Sequence, residues 1–333
     1  MNLSGQRNFG SSRARVRLLS TASLVAVLLL AIATSGFAQQ QEPMDVVKVS
    51  TDLVVFDAQV IDKKSKRTIG DLTRDDFAIT ENGVKQEVSY FSRDELPLSI
   101  ILLLDVSRSV RPIIHEIRDG ALNALQRLKP EDEVAVMAFG TTYQLVQDFT
   151  KDRPLVSQKI ESATATERLG NGTFLSSALE SAATHMQKAP AAGSRRVIIV
   201  VTDNIAITPD RETKYIVDEL LDTGTVVYGL IVQAAMGKLF KVMSLGQLSK
   251  GVNDFVERTG GEIVGADKKE VDAKLGLVID RLRARYQLGF RPVNISDDGK
   301  FRPVEIKITE TKKRKEKPMV LTKRGYYLHR RTK

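Results

Sequence analysis

The chain has 333 residues, 42% hydrophobic, 27% charged and 6% aromatic, which excludes a mainly disordered protein and suits one large domain with additions or two unequal domains. Cysteine is absent and none of the three histidines lies in an HExxH pattern, so disulfide frameworks, thiolate metal sites, cysteine nucleophiles and imidazole zinc sites are excluded. The net charge of +9 divides into +4 for residues 1–38, −7 for residues 39–280 and +12 for residues 281–333. Because the long middle part of the chain is acidic, we expect no continuous basic face and therefore no nucleic-acid partner.

Residues 1–38 have the layout of a signal peptide. Arginines precede an apolar run, Leu24 to Ala33, which is too short to span about 30 Å of hydrocarbon comfortably. Gly36 and Ala38 fit the small positions before a cleavage site, so cleavage is predicted between Ala38 and Gln39. An uncleaved N-terminal anchor is the alternative. Either way, the protein is expected to be exported, to the periplasm or beyond the cell.

Residues 39–96 are predicted to be an N-terminal β segment. Its first strand contains Val47, Val49, Leu53, Val55 and Phe56. A second strand is predicted over Val84 to Phe91, because the preceding Asn82-Gly83 is typical of a hairpin turn. The segment is too small to bury a core alone, so we expect residues 45–96 to pair with another part of the chain.

From Leu98 onwards, continuous apolar runs predict the buried strands of a parallel sheet. The runs are Leu98–Leu104, Val134–Phe139, Val197–Thr202 and Val226–Val232. Stretches between them, such as Leu175 to Met186, have the spacing of amphipathic helices. This alternation predicts an α/β fold over residues 97–285 with a doubly wound, mostly parallel, Rossmann-like sheet. Gln144–Phe149 is predicted to be an antiparallel edge strand.

Three loops at predicted strand ends or helix starts carry side chains that offer oxygen. They contain Asp105-Val106-Ser107-Arg108-Ser109, Gly170-Asn171-Gly172-Thr173 and Thr202-Asp203-Asn204. In doubly wound sheets, ligands bind outside the carboxyl ends of the strands. Carboxylates and hydroxyls without imidazole or thiolate suit a hard cation such as Mg²⁺, Mn²⁺ or Ca²⁺. Asp105, Ser107 and Ser109 alternate, so in an extended loop they can converge on one ion.

At these residues the sequence resembles the von Willebrand factor type A (VWA) domains. Their metal-ion-dependent adhesion site (MIDAS) has the pattern D-x-S-x-S, followed by a Thr from a second loop and an Asp from a third. The matching residues are Asp105, Ser107, Ser109, Thr173 and Asp203. The resemblance covers roughly residues 98–265. It departs from the family at Asn204, where Asp-Gly is common in the third loop, although Asn tolerates a left-handed backbone.

The flanking segments resemble those of secreted bacterial VWA-related proteins. The similar residues before the domain are Asp75-Asp76-Phe77, Glu81-Asn82-Gly83 and Gln86, and those after it are Tyr286–Phe290, Gly299–Arg302 and Arg324–Tyr327. The predicted helix Val271 to Arg285 would lead the chain out of the VWA domain.

Residues 286–333 are predicted to be a C-terminal β segment. Its strands are Tyr286–Phe290, Val304–Thr309, Met319–Thr322 and Tyr326–Leu328. We expect it to pair with residues 45–96 in a second, smaller all-β domain, since neither flank has enough apolar surface for its own core. The basic run Lys312–Lys317 is interpreted as a solvated hairpin tip, with weak contact to an anionic envelope surface as the alternative.

The resemblance implies a metal-dependent protein-binding module for adhesion or scaffolding, not an enzyme. Ser107, Ser109 and Thr173 would hold Mg²⁺ (or Mn²⁺ or Ca²⁺) directly, and Asp105 and Asp203 would act directly or through water. At least one coordination position would then face solvent and could accept a carboxylate of a protein ligand.

Each site residue also has an ordinary structural interpretation. The D-x-S-x-S side chains could cap a helix that begins near Val110, Thr173 could cap another, and Asp203 could merely end a strand. A magnesium-dependent hydrolase at the same site is the alternative function, although Ser107 replaces the second acid of a D-x-D pattern and no G-x-S-x-G or P-loop motif is present. A metal-free structural envelope protein is the third hypothesis.

Overall fold

The computed structural model describes residues 53–191, 193–204, 213–233, 251–294, 299–309 and 314–328. The predicted signal segment, with its cleavage site, and the strand residues Val47 and Val49 lie outside the described residues. Within these ranges, no helix combines the length and the apolar character that crossing a bilayer requires.

The described ranges contain fourteen strands and six α-helices. The strands are β1 (Val54–Asp62), β2 (Phe77–Glu81), β3 (Val84–Gln86), β4 (Tyr90–Ser92), β5 (Leu98–Asp105), β6 (Glu133–Phe139), β7 (Tyr143–Thr150), β8 (Arg195–Thr202), β9 (Val226–Gln233), β10 (Ile263–Asp267), β11 (Tyr286–Phe290), β12 (Phe301–Ile308), β13 (Pro318–Leu321) and β14 (Gly325–Tyr327). The helices are α1 (Ile114–Leu125), α2 (Arg153–Thr164), α3 (Leu175–Met186), α4 (Thr213–Asp222), α5 (Gly251–Thr259) and α6 (Val271–Arg283).

The central sheet has six strands in the order β10-β9-β8-β5-β6-β7. All neighbours pair in parallel except β7, which lies antiparallel to β6 at the edge. Every residue of β5 and β6 is buried, as expected for strands with helices on both faces. The predicted doubly wound, mostly parallel sheet and its antiparallel edge strand are confirmed.

Two helical layers cover this sheet. One core forms between the sheet and α1, α2 and α6, and a second core forms on the opposite face against α3, α4 and α5. In α1, apolar residues at helical spacing face the first core, namely Ile117, Ala121, Ala124 and Leu125. The carboxyl ends of the parallel strands are therefore left as the accessible edge of the sheet, where ligands bind in folds of this type.

The two flanks of the chain build a pair of four-stranded antiparallel sheets. Their strand orders are β13-β1-β11-β4 and β14-β12-β2-β3. Strand β1 pairs with β11 and β13, and β2 pairs with β12, so each sheet combines strands from both flanks. A shared core that includes Phe56, Ile79 and Leu288 lies between the sheets, which we call the β-sandwich. The domain boundaries given above, and independent folding of the parts, remain predictions.

The N-terminal flank differs from the expectation in one strand. Asn82 and Gly83 have φ values of 49° and 80°, and Glu81 pairs with Val84, so the predicted two-residue hairpin is confirmed. The single strand predicted over Val84 to Phe91 is wrong, because β3 and β4 belong to different sheets. Val88 lies between these two strands and packs against the sandwich core, so the segment keeps an inward apolar side chain at the point where the chain changes sheet.

The interpretation of the basic run Lys312–Lys317 as a hairpin tip is also wrong. Strand β12 pairs with β14 and β2, whereas β13 pairs with β1, so the run connects two different sheets. Lys312 and Lys313 lie outside the described residues. The Arg314 guanidinium lies 3.0 Å from the Asp71 carboxylate, so part of the positive charge is neutralised within the chain.

A buried polar network joins the β-sandwich to the central sheet. Its centre is Arg285, which follows α6 and is 1% exposed. The Arg285 guanidinium donates to the Tyr228 hydroxyl of β9 at 2.7 Å and to the Asp57 carbonyl of β1 at 2.9 Å. The Asp57 carboxylate also accepts from Arg195 of β8, with an Nη2 to Oδ1 distance of 3.0 Å. The two parts therefore meet through desolvated, charge-assisted hydrogen bonds.

Candidate metal centre

The five predicted ligand residues lie at the carboxyl edge of the central sheet or at the start of a helix. Asp105 ends β5, and Asp203 directly follows β8, the parallel neighbour of β5. Ser107 and Ser109 lie in the loop after β5, and Thr173 lies two residues before α3. Neighbouring parallel strands end at the same edge, so the topology brings Asp105 and Asp203 to one place.

Both carboxylate oxygens of Asp105 are held by hydrogen bonds. The backbone N–H of Ser107 donates to Oδ1 at 2.9 Å, and the Thr202 hydroxyl donates to Oδ2 at 2.6 Å. The hydroxyl oxygens of Ser107 and Ser109 lie 3.1 Å apart. Asp105 and Ser107 are fully buried, and Ser109 is half-buried. The D-x-S-x-S loop is thus folded into a compact group of oxygen atoms.

The environment of Asp105 disfavours an isolated negative charge. Burial raises the pKa of this carboxyl to about 6, against the opposing hydrogen bonds from Thr202 and Ser107. The Asp203 carboxylate raises the pKa further, because a second negative charge nearby disfavours the charged form of Asp105. A bound cation would offset both the desolvation and the repulsion.

The second loop is held directly against the first. The Arg108 N–H donates to the Asn171 carbonyl at 3.2 Å, and the Gly172 N–H donates to the Thr141 hydroxyl at 2.8 Å. Gly170 has a φ of 82°, and a Cβ at this position would lie 2.6 Å from the Thr141 hydroxyl oxygen. Glycine therefore permits the close approach that places Thr173, which is 5% exposed, at the start of α3.

The third loop adopts the conformation that Asn204 was expected to tolerate. Its φ is 59°, in the left-handed region, so the prediction for this residue is confirmed. The Asn204 side-chain oxygen also accepts from the Val252 N–H at 3.0 Å and thereby caps the start of α5. Asparagine thus supplies a contact that glycine could not make.

Thr202 supports the loops of this candidate centre, although we assigned it no individual role from the sequence. Its hydroxyl orients Asp105 and accepts from the Asn204 N–H at 3.0 Å, so it connects the first and third loops. The available signal was a hydroxyl at the end of an otherwise apolar strand, one position before the predicted ligand Asp203.

The helix-capping interpretation of the site residues is wrong. The residues that precede the first turns are Val110 for the 3₁₀ turn Arg111–Ile113, Ile113 for α1 and Phe174 for α3. In these described elements, no side chain forms a capping hydrogen bond. The polar side chains of the D-x-S-x-S loop and Thr173 therefore do not serve to start these helices.

The donor set fits a hard divalent cation. It combines two carboxylates with three hydroxyls, and these are the ligand types that Mg²⁺, Mn²⁺ and Ca²⁺ prefer. Over the part of the chain that the structure describes, no three or more His, Cys, Asp or Glu side chains are grouped to hold a metal ion. The candidate centre differs from such clusters because most of its ligands are neutral hydroxyls.

Residues 100–205 match the family model of the von Willebrand factor type A domain. All five predicted ligands lie inside the matched range, and the prediction of a VWA domain is confirmed. Such domains are commonly protein-interaction or adhesion modules. A search of curated proteins finds no match.

Several solved structures are similar to this chain at low identity. One is an aerotolerance-related membrane protein from Bacteroides fragilis, with 16% identity, a TM-score of 0.42 and coverage of 56% of this chain and 98% of that one. The pilus adhesin SpaC from Lactobacillus rhamnosus has 12% identity, a TM-score of 0.42 and coverage of 76% and 47%. The vWF domain of the pilus tip protein Mfa5 from Porphyromonas gingivalis has 12% identity, a TM-score of 0.41 and coverage of 56% and 95%.

Proposed function

We propose that the von Willebrand factor type A domain of this chain is an exported, non-catalytic binding module that holds a divalent cation and binds a protein partner through it. The observation that carries the proposal is the arrangement of the D-x-S-x-S loop. Asp105 is fixed through both oxygens, at 2.9 and 2.6 Å, and the two serine hydroxyls lie 3.1 Å apart. Mg²⁺ is the expected ion, with Mn²⁺ or Ca²⁺ as substitutes.

The balance of charge in the donor set supports an acidic partner. Asp105 and Asp203 supply two negative charges, whereas Ser107, Ser109 and Thr173 supply neutral oxygens. When bound, the cation supplies an electrophilic position that favours a further carboxylate from outside the chain. The role of the five residues is to hold the ion, and Thr202 positions Asp105 for it.

The layout of the first 38 residues supports the export of this module. Arginines, an apolar run and small residues before Gln39 are the three parts of a signal peptide. Export would bring the domain into contact with proteins of the cell envelope or its surroundings. The partner is therefore expected to be an envelope, surface or extracellular protein that presents an acidic side chain.

A capture experiment tests this function. Immobilised wild-type protein and Asp105→Ala are incubated with envelope extract in Mg²⁺ or in chelator. Asp119→Ala serves as the matched control, because this carboxylate is exposed and pairs with the adjacent Arg118. We expect a partner to be retained by the wild type and Asp119→Ala in Mg²⁺, and to be lost both in chelator and with Asp105→Ala. Retention that is equal in Mg²⁺ and in chelator would contradict the proposal.

A further inference from the structure

A groove of about 490 Å³ lies between the edge strand β7 and helix α3. Its walls include Tyr143 and Leu145 of β7 and Glu180, Thr184 and His185 of α3. Tyr143 and Leu145 are 43% and 39% exposed, so two large apolar side chains meet solvent in this groove. In the part of the chain that the structure describes, β7 pairs only with β6, and no further strand covers this edge of the sheet.

The strand register places the groove beside the candidate metal centre. Asp105 of β5 is the register partner of Phe139 of β6, which is in turn the partner of Tyr143 of β7. These three residues therefore form one row across the carboxyl edge of the sheet. Since neighbouring strands lie about 4.8 Å apart, the backbone of Tyr143 is about 10 Å from that of Asp105.

Both exposed side chains of β7 point to the face of the sheet that α3 covers. Directly opposite residues of an antiparallel pair share one face. Tyr143 lies opposite Phe139 and Leu145 lies opposite Met137, and these two partners belong to the core on the α3 face. The groove is thus lined on one side by consecutive outward positions of β7 and on the other side by α3.

A third exposed ring links the groove to the second ligand loop. Phe174 is 37% exposed and directly follows the predicted ligand Thr173. Its N–H donates at 2.9 Å to the carbonyl of Gly140, which lies in the turn between β6 and β7. The same turn leads into Tyr143. The turn that supports the second ligand loop therefore also positions exposed apolar side chains.

The groove is held in shape by contacts between its two walls. His185 of α3 is 8% exposed, and its Nε2 lies 2.8 Å from the Asp148 carboxylate of β7. Its ring also stacks on Phe149 of β7, with 5.5 Å between the ring centres. These contacts fix α3 against β7, so a ligand would not have to order the groove when it binds.

The distribution of charge indicates which part of a partner would occupy each place. Arg108 lies between the predicted ligands of the first loop and is exposed, so the metal centre has a positive group beside the cation. Residues 143–147 of β7 carry no charge, and the opposite charges of Glu180 and Lys188 in the groove cancel. An acidic group is therefore favoured at the centre, and an uncharged apolar group is favoured in the groove.

We propose that the groove between β7 and α3 binds an aromatic or large aliphatic side chain of the same partner segment that gives its carboxylate to the metal ion. This inference rests on the proposed function, because the acidic residue of that segment occupies the metal centre. An extended segment advances about 3.3 Å per residue, so the two contact residues would lie about three positions apart. The cation selects an acidic residue, and the groove selects among acidic segments.

Paired variants of the two β7 residues test the groove. Tyr143→Thr combined with Leu145→Thr removes both large apolar groups but keeps residues that suit a strand. Tyr143→Phe combined with Leu145→Met keeps the apolar groups and is the matched control. Val84→Thr is a second control, since Val84 is 62% exposed on β3 of the β-sandwich. Circular dichroism and melting temperature verify folding, and calorimetric titration of Mg²⁺ verifies an unchanged metal affinity. The single threonine variants are measured in the same way.

The probe is a displayed library of random dodecapeptides, selected on the purified wild type in Mg²⁺. We expect the selected peptides to share an acidic residue and an aromatic or large aliphatic residue about three positions from it. Their binding should be lost in chelator. It should be about tenfold weaker for the double threonine variant, because apolar contact is lost, and unchanged for both controls.

Three outcomes would overturn the inference, and they separate it from the proposed function. Peptides that require Mg²⁺ but bind the double threonine variant as tightly as the wild type would exclude the groove and leave metal-dependent binding intact. Peptides that depend on Tyr143 and Leu145 but bind equally well in chelator would show that the groove acts without the metal centre. If no peptide is enriched over a selection without protein, the inference fails, while the Mg²⁺ titration of the wild type still reports on the metal site.

Discussion

Replacement of Arg285 by methionine is expected to lower the free energy of unfolding by about 3–5 kcal/mol, the range found when one partner of a buried charged network is removed. Arg285 is 1% exposed and donates to the Tyr228 hydroxyl and to the carbonyls of Asp57 and Gly260, at 2.7, 2.9 and 3.2 Å. Methionine fills part of the space but removes the guanidinium donor from all three acceptors, of which the Asp57 carbonyl keeps its hydrogen bond from the Thr322 hydroxyl at 3.0 Å. Because they belong to both the sandwich and the central sheet, the loss should weaken the contact between the two parts.

Thermal unfolding measures this effect. At roughly 2–4 °C per kcal/mol for a chain of this size class, Arg285→Met should melt about 10 °C below the wild type. Arg285→Lys keeps the positive charge but lacks the planar guanidinium with its several donors. Its melting temperature should therefore fall less than that of Arg285→Met. Arg74→Met is the control, since its ion pair with Asp75 is exposed and should contribute less than about 1 kcal/mol. A melting temperature of Arg285→Met within about 2 °C of the wild type would show that the network is not needed for stability.

Asp105→Asn is expected to stabilise the metal-free protein at pH 8 while abolishing its response to Mg²⁺. The folded-state pKa of Asp105 is about 6, above the ordinary value of 3.8, and the first cause is burial. A carboxyl with a raised pKa destabilises the folded state when it is charged. The loss of stability caused by the charged Asp105 is therefore complete above pH 6. It is relieved as the pH falls from about 6 to about 4, because in this range the carboxyl is protonated in the folded state but not yet in the unfolded state. Asparagine has nearly the same shape without the charge.

The comparison is made in chelator by thermal unfolding at pH 8 and pH 4. We expect Asp105→Asn to be more stable than the wild type by about 1–3 kcal/mol at pH 8, and the difference to shrink towards zero at pH 4. The same substitution at Asp119, whose carboxylate is exposed, is the matched control. If Asp105→Asn were less stable than the wild type in chelator at pH 8, the result would contradict this prediction. It would mean that the hydrogen bonds which the Asp105 carboxylate accepts from Thr202 and Ser107 outweigh the cost of burying its charge.

The α/β fold could be predicted from the sequence because its signals are local. Runs such as Ile100–Leu104 are apolar at every position, which indicates a strand buried on both faces whatever its neighbours are. Asn82-Gly83 likewise specifies its own turn. By contrast, the segment from Val84 to Phe91 has the composition of one strand, and Val88 packs against a core shared by both sheets, so no local signal marks the change of sheet.

The supporting contacts of the site and of the interface could not be predicted in the same way. Thr202 and Asp105 are separated by 97 residues, and Arg285 meets acceptors on β1 and β9 that are 228 and 57 residues away. Such pairs are specified only by the order of strands in the sheets. The five motif residues of the centre were predicted from their places at strand ends and their resemblance to the family pattern, whereas the threonine that orients Asp105 has no motif of its own.

The proposed metal centre is tested most directly by calorimetric titration of Mg²⁺ into the purified wild type and into Asp105→Ala, Ser107→Ala, Asp203→Ala and Asp119→Ala. We predict one saturable site in the wild type and in Asp119→Ala, and no saturable heat in the three variants that remove a ligand. Absence of binding to the wild type, or binding that is equal in the wild type and the ligand variants, would contradict the assignment of this site.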